Sequence, residues 1–388
     1  EALVDGGLQR VQAFLRRALV VEAHHLELDA GRGLARQLLG DELPALELVL
    51  PDVGEGTRQR VHERDAYGLP LGRAVGRRSG RLGRGRRRSR RRLLCDRETG
   101  ACEVPGSNPV NTAVEQKLTK PIKLLYFTDP ICSSCWGIEP QLRKLKLEYG
   151  DVLEVEYHMG GLLPDWSYNS GGISKPSDVA HHWDEVSLYY DMPIDGDIWL
   201  EDPLHSSYPP SIAFKAAQLQ DEKKAINFLR ELREQVFLQK KNITKWEHVV
   251  VAARRAGLDT AQLNKDIEAG AKQLFEEDLQ LARQYGVRGF PTLFFINAAG
   301  AKEIVYGTKP YGIFETAIQK LHPVARKASY PNDWNSVFSK YHSLTAKEFS
   351  VVTGVARSES EAILDQLAQS GKLEKLTTKN GSLWKLKK

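Results

Sequence analysis

The chain has 388 residues and a formal net charge of +5, and a chain of this length has room for two or three domains with a substantial core. It contains four cysteines, too few for a disulfide scaffold, so their grouping in two pairs indicates redox or metal chemistry. No continuous apolar run reaches the roughly 18 residues of a membrane span, and no membrane association is expected.

The first quarter of the chain differs from the rest in composition. Residues 1–94 contain 19 Arg against 12 Asp plus Glu, and RRSGRLGRGRRRSRRR, from Arg77 to Arg92, holds ten of these Arg. We expect residues 1–93 to be an Arg-rich leader that is disordered or not native coding sequence. A tail that binds nucleic acid is the alternative. The segment lacks the apolar core of a secretory signal, which favours a cytoplasmic location.

A Cys-containing linker is predicted over 94–120, with Cys95 and Cys102. The apolar run IKLLYFTDP predicts a strand from Ile122, QLRKLKLEYG has helical spacing, and LEVEYHM alternates as a second strand. Strand, helix and strand in about 40 residues form a βαβ unit with a parallel strand pair. A core of mixed α/β type is therefore expected over 121–164.

Helical periodicity dominates residues 165–281, which we interpret as an insertion into that core. Strand character returns in GVRGFPTLFFIN and AKEIVYG, and the turn NAAG between them predicts a hairpin. A last helix, YGIFETAIQKLH, completes the second half of the core over 282–325.

Residues 333–388 are predicted to form a separate small module. TAKE at Thr345 and SESE at Ser358 each fit a capping box, so a helix is expected to begin at each. Alternation around Asn380-Gly381 then predicts a hairpin. Helices followed by a hairpin resemble a winged-helix module. Although the hairpin is rich in Lys, its composition does not favour nucleic acid as a partner.

The central motif is ICSSCWGIEP, in which Cys132 and Cys135 stand where a strand ends and a helix begins. Unpaired N–H groups at a helix N-terminus lower a thiol pKa. We therefore expect Cys132 to be the exposed attacking thiol and Cys135 the more buried resolving thiol, exchanging disulfides through a mixed-disulfide intermediate.

CSSCWGIEP and, about 150 residues later, GVRGFPTLFF resemble the thioredoxin superfamily, specifically its DsbA/FrnE-like branch with a helical insertion. The resemblance implies a thioredoxin-like fold in which Pro291 is cis and faces the cysteine pair, while the backbone of Phe290 lines a substrate groove. It implies a dithiol–disulfide oxidoreductase without a cofactor, acting on protein or small-molecule thiols and disulfides.

Three alternatives stay open. DPICSSCWGIEP is also similar to SpxH-type adapters of the same branch, which hand a transcription regulator to the ClpXP protease. The 2-hydroxychromene-2-carboxylate isomerases of the branch typically have Ser at the position of Cys132, which argues against that function. Cys95 and Cys102 could join Cys132 and Cys135 in a zinc site, but no metal is predicted. Otherwise they form a second, regulatory dithiol or are simply two reduced thiols.

Overall fold

Two β-sheets organise the part of the chain that the computed structural model describes, residues 120–167 and 173–387, which lie within a unit spanning 106–388. One sheet has four strands in the order β2-β1-β3-β4, and the other has three in the order β5-β7-β6. The strands are β1 (Ile122–Thr128), β2 (Leu153–Met159), β3 (Thr292–Asn297), β4 (Lys302–Tyr306), β5 (Ser343–Thr345), β6 (Leu373–Thr378) and β7 (Gly381–Leu386).

Helices cover the larger sheet and separate its two halves along the chain. They are α1 (Ser133–Gly137), α2 (Glu139–Glu148), α3 (Pro176–Tyr190), α4 (Ile198–Glu201), α5 (Tyr208–Gln220), α6 (Glu222–Leu238), α7 (Trp246–Arg255), α8 (Thr260–Asp266), α9 (Lys272–Gln284), α10 (Tyr311–Leu321), α11 (Trp334–Lys340), α12 (Ala346–Thr353) and α13 (Arg357–Gln369). A π-helical turn, Ile267–Ala271, joins α8 to α9. The mixed α/β class predicted from the sequence is confirmed.

The pairing of the larger sheet places the functional segments at one edge. β1 pairs with β2 in parallel, as predicted, and antiparallel to β3, with Phe127 opposite Thr292. The residues that follow β1 and the residues that precede β3 therefore meet at the same end of the sheet. This end carries the CSSC motif on one side and Pro291 on the other.

A proline divides the helix that follows the cysteines. Pro140 has no N–H to donate to the carbonyl one turn earlier, so the helical path breaks at Ile138 and α1 stays only five residues long. The Trp136 indole, fully buried, donates to the Pro193 carbonyl at 3.0 Å. The short helix is thus anchored against the segment that follows α3.

Residues 333–387, called here the C-terminal unit, contain three helices, a three-stranded sheet and their own apolar core. The capping box predicted at Thr345 and Glu348 is present at the start of α12, and the hairpin at Asn380-Gly381 is formed. The capping box predicted at Ser358 is wrong, because the N-cap residue of α13 is Ala356 and Ser358 is already the second residue of the helix. The winged-helix interpretation of this unit stays a prediction.

Buried ion pairs join the C-terminal unit to the rest of the described fold. The guanidinium of Arg230 donates to both carboxylate oxygens of Glu348, at 2.8 and 3.0 Å, and Glu348 is completely buried. Arg143 donates to the Ser343 carbonyl at 2.6 Å. Because these charges have lost their water, each one depends on its partner across this interface.

The predicted leader, 1–93, and nearly all of the linker, 94–120, lie outside the described residues, and so do Cys95 and Cys102. No helix among the described residues is both long enough and apolar enough to cross a bilayer.

Candidate functional site at the cysteine pair

The cysteine pair lies at the start of α1. Cys132 is the N-cap residue, and its Sγ accepts a hydrogen bond from the backbone N–H of Cys135 at 3.2 Å. The sequence predicted an exposed Cys132, but this residue is only 5% exposed and Cys135 is fully buried. The expectation of exposure fails because Leu162, Leu163 and Phe290 come from distant segments to line the space beside the sulfur.

The segment before β3 faces this pair, as the resemblance implied. The Phe290-Pro291 peptide bond is cis. The Cys132 thiol donates to the Phe290 carbonyl across 3.7 Å, so residues 158 positions apart in the chain are in contact. The structure therefore brings together the residues singled out at Cys132, Cys135, Phe290 and Pro291.

The two thiols have pKa values that are shifted in opposite directions. Burial raises the pKa of Cys132, and its interactions with Cys135 raise it further. Burial also opposes ionisation of Cys135, but its hydrogen bond with Cys132 and the charge of Arg233 outweigh that effect and lower its pKa. This is the reverse of the order that the helix N-terminus predicted.

Arg233 is the cation behind this reversal, and the sequence analysis did not identify it. Its side chain is 1% exposed, and its positive charge acts on Cys135. It donates to Thr128 Oγ1 at 2.6 Å, to the Asp129 carbonyl at 3.2 Å and to Glu139 Oε1 at 2.6 Å. One feature of the sequence could have indicated a buried cation, because Arg233 stands on the apolar face of α6 between Leu232 and Val236.

Asp129 is a second functional candidate that the sequence analysis missed. It is fully buried, and its carboxylate accepts from the N–H of Ile131 at 3.0 Å, from the N–H of Leu162 at 2.8 Å and from the Ser207 hydroxyl at 2.8 Å. Burial raises its pKa to about 6. The carboxylate ties the loop of the cysteines to the start of α5, and its charge adds to the raised pKa of Cys132.

An apolar cavity of about 220 Å³ opens beside Cys132. Aromatic and aliphatic side chains from α3, from α4 and from the segment after β2 form most of its wall. These include Leu162, Leu163, Trp166, Val179, Trp183, Trp199 and Phe290. At its border, the Tyr190 and Ser134 hydroxyls are hydrogen-bonded at 2.7 Å, which links α3 to the motif.

Within the described residues, no cluster of His, Cys, Asp and Glu side chains has the arrangement of a metal site. The zinc alternative also required Cys95 and Cys102, which lie outside those residues. Their assignment as a regulatory dithiol therefore stays a prediction.

A thioredoxin family model matches residues 125–316. The ClpXP adapter protein SpxH of Halalkalibacterium halodurans is 34% identical over 297 residues, covering 75% of this chain and 96% of that protein. This chain belongs to the family of the SpxH adapters and contains a domain of the thioredoxin superfamily.

A second SpxH adapter, from Bacillus subtilis, is 30% identical over 271 residues, which are 69% of this chain and 89% of that protein. Among solved structures, a putative protein disulfide isomerase from Nitrosomonas europaea is 20% identical, with a TM-score of 0.46, and covers 52% of this chain and 97% of that one. The match of the thioredoxin family model to residues 125–316 confirms the thioredoxin-superfamily prediction.

Proposed function

We propose that this chain is a cytoplasmic adapter of the SpxH type, which binds a transcription regulator and delivers it to a ClpXP-type protease. The observation that carries the proposal is the likeness to the Halalkalibacterium halodurans adapter over 297 residues. That length exceeds the thioredoxin match at 125–316, so the likeness extends to parts of the chain outside a redox domain.

The state of the cysteine pair supports the same proposal. An attacking thiol must be accessible and ionised, whereas Cys132 is 5% exposed and its pKa is raised by burial. An adapter needs a surface for its partner and no turnover at sulfur.

Two exposed side chains at the end of α3 are the place where we expect a partner to bind. Leu188 and Tyr189 are 80% and 67% exposed, and they immediately precede Tyr190, which is hydrogen-bonded to the cysteine motif. Adjacent exposed apolar side chains of this size are typical of interaction surfaces.

The adapter function is tested by measuring how fast purified ClpXP degrades a fluorescently labelled transcription regulator of the kind that SpxH adapters deliver, with and without this chain. We expect the chain to accelerate degradation and Leu188→Ser/Tyr189→Ser to remove most of that effect. Val324→Ser, which alters a 69% exposed side chain in another segment, is the matched control and should retain it. Equal rates with and without the chain would exclude the adapter function.

A thiol–disulfide oxidoreductase is the second candidate, favoured by one specific observation. Cys132 and Cys135 share a hydrogen bond at a helix start, opposite the Phe290 carbonyl. The variant Cys132→Ser/Cys135→Ser separates the two functions. Accelerated degradation should survive in this variant if the chain is an adapter, whereas reduction of insulin disulfides should be lost if it is an oxidoreductase. Loss of both activities would make thiol chemistry a requirement for delivery.

A further inference from the structure

A second cavity, of about 330 Å³, lies between the core and the C-terminal unit, and neither cysteine lines it. We call it the charged cavity. Its walls come from α2, β2, α6, the end of α7 and the segment that joins α11 to β5. The lining includes Glu139, Arg143, Lys146, Tyr157, Arg230, Glu231, Arg233, Arg255, Lys340, Tyr341 and His342.

Cations outnumber carboxylates in this lining. Six Lys and Arg side chains face two Glu. The floor is made of guanidiniums that have little access to water, since the side chains of Arg143, Arg230 and Arg233 are 7%, 12% and 1% exposed. Arg255 and Lys340 are exposed at the rim, so the cavity has a cationic mouth.

Carboxylates behind the wall do not remove this excess. Glu348 and Glu234 are completely buried and pair with Arg230, but Glu234 also pairs with the additional cation Lys385 at the back of the cluster. When these three groups are included, seven cationic side chains still face four carboxylates. Buried charge of one sign is costly unless a counter-charge compensates it.

Two features of the floor indicate a missing anion. The Nε of Arg233 is buried and has no hydrogen-bond partner, although a buried guanidinium N–H is normally satisfied. In addition, burial lowers the pKa of Arg143, and the nearby charge of Arg230 lowers it further. Arg143 is therefore the floor guanidinium with the least compensation, whereas the carboxylates beside Arg230 raise the pKa of that residue.

We propose that the charged cavity binds a small multivalent oxyanion, with two or more phosphate or carboxylate groups, against the arginines of its floor. Planar guanidiniums match the geometry of both kinds of group. The volume lies at the lower end of the range for small-molecule sites, about 300 to 1,000 Å³. Since the lining comes from both the core and the C-terminal unit, the bound anion bridges them.

Calorimetric titration of the full chain with pyrophosphate and, separately, with citrate tests this site. We expect saturable binding of at least one anion. The variant Arg255→Gln/Lys340→Gln, which changes only the exposed rim, should weaken that binding at least about tenfold. The control variant Lys265→Gln/Lys272→Gln removes the same charge from exposed positions on α8 and α9 and should bind like the wild type.

The outcomes identify the ligand class or reject the site. Binding of pyrophosphate alone assigns a phosphorylated ligand, and binding of citrate alone assigns a polycarboxylate. A ligand-dependent rise in melting temperature, present in the wild type and control but absent in the rim variant, would link binding to the folded cavity. Failure of both anions to bind, or equal weakening by the rim and control variants, overturns the proposal.

Discussion

At the scale of single residues, the cysteine pair is governed by groups that are distant in the chain. Burial and the interaction between the two sulfurs are the main causes of the thiol pKa shifts, to which the charges of Arg233 and Asp129 contribute, and the Phe290 carbonyl accepts a hydrogen bond from Cys132. The Cys132 sulfur is therefore held beside Cys135, and access to both sulfurs from outside is restricted by burial.

A trapping experiment tests whether the pair exchanges disulfides with proteins. If Cys132 attacks and Cys135 resolves, Cys135→Ser should accumulate mixed disulfides that a reducing gel releases, because the second displacement is removed. Cys132→Ser should accumulate none. Equal trapping by both variants, read by mass spectrometry, would contradict this order of attack.

Asp129 gives a prediction about pH. Its pKa rises from the ordinary 3.8 to about 6 because it is buried. Between these values the unfolded chain loses a proton that the folded chain keeps, so this group's contribution to stability falls as the pH rises from about 4 to 6 and is constant above that.

The variant Asp129→Asn removes this titration. Going from pH 4 to pH 7.5, the wild type should lose roughly 2.5 kcal/mol of unfolding free energy relative to the variant, because the unfolded carboxyl is already more than half ionised at pH 4. Urea denaturation of both proteins measures the difference, in which the other acids cancel. A difference that does not change with pH would show that Asp129 is ionised at both values.

At the scale of elements, the hairpin of the C-terminal unit holds the helix that lines the apolar cavity. Lys379 at the hairpin tip pairs with Asp184 at 2.6 Å and with Asp197 at 2.8 Å. The neighbouring Asn380 donates to Asp184 and to the Ile194 carbonyl, both at 2.8 Å. Since Asp184 lies on α3, the hairpin restrains the cavity wall.

Loosening this hairpin tip should make α3 more dynamic. In Lys379→Gln/Asn380→Ala, we expect amide hydrogen exchange over 176–190 to become several-fold faster, since partly exposed ion pairs contribute about 0.2 to 1 kcal/mol. Lys375→Gln, which breaks a pair between the same hairpin and Asp365 on α13, is the matched control. Exchange that is unchanged over α3, or equally fast in the control, would argue against the restraint.

At the scale of the whole described fold, Glu348 is the central anion between the C-terminal unit and the core. Its side chain caps α12. Its carboxylate accepts hydrogen bonds from Nη1 and Nη2 of Arg230 and lies 3.2 Å from the Nε of Arg143. Loss of its charge would leave Arg230 with Glu234 and Arg143 with Glu139, 3.8 Å away, as the remaining carboxylate partners.

We expect Glu348→Gln to lower the free energy of unfolding by about 3 to 5 kcal/mol, the usual cost of removing one partner of a buried ion pair. Glu359→Gln, at an exposed position of the neighbouring helix, should change it by less than about 0.5 kcal/mol. Chemical denaturation of the two variants is the measurement. Similar stabilities would mean that the interface charges are satisfied by water.

Local patterns alone were enough to predict much of this protein. The strand before Cys132, the parallel pair of β1 and β2, the hairpin after Pro291 and the capping box at Thr345 depend on neighbouring residues, whose periodicity and turn chemistry are visible in the sequence. The burial of Cys132, the effect of the Arg233 charge on Cys135 and the raised pKa of Asp129 were decided only by the tertiary structure. Each of these features depends on groups from segments that are far apart in the chain. These groups lose their water only when the segments pack together, and this desolvation is what shifts their pKa values.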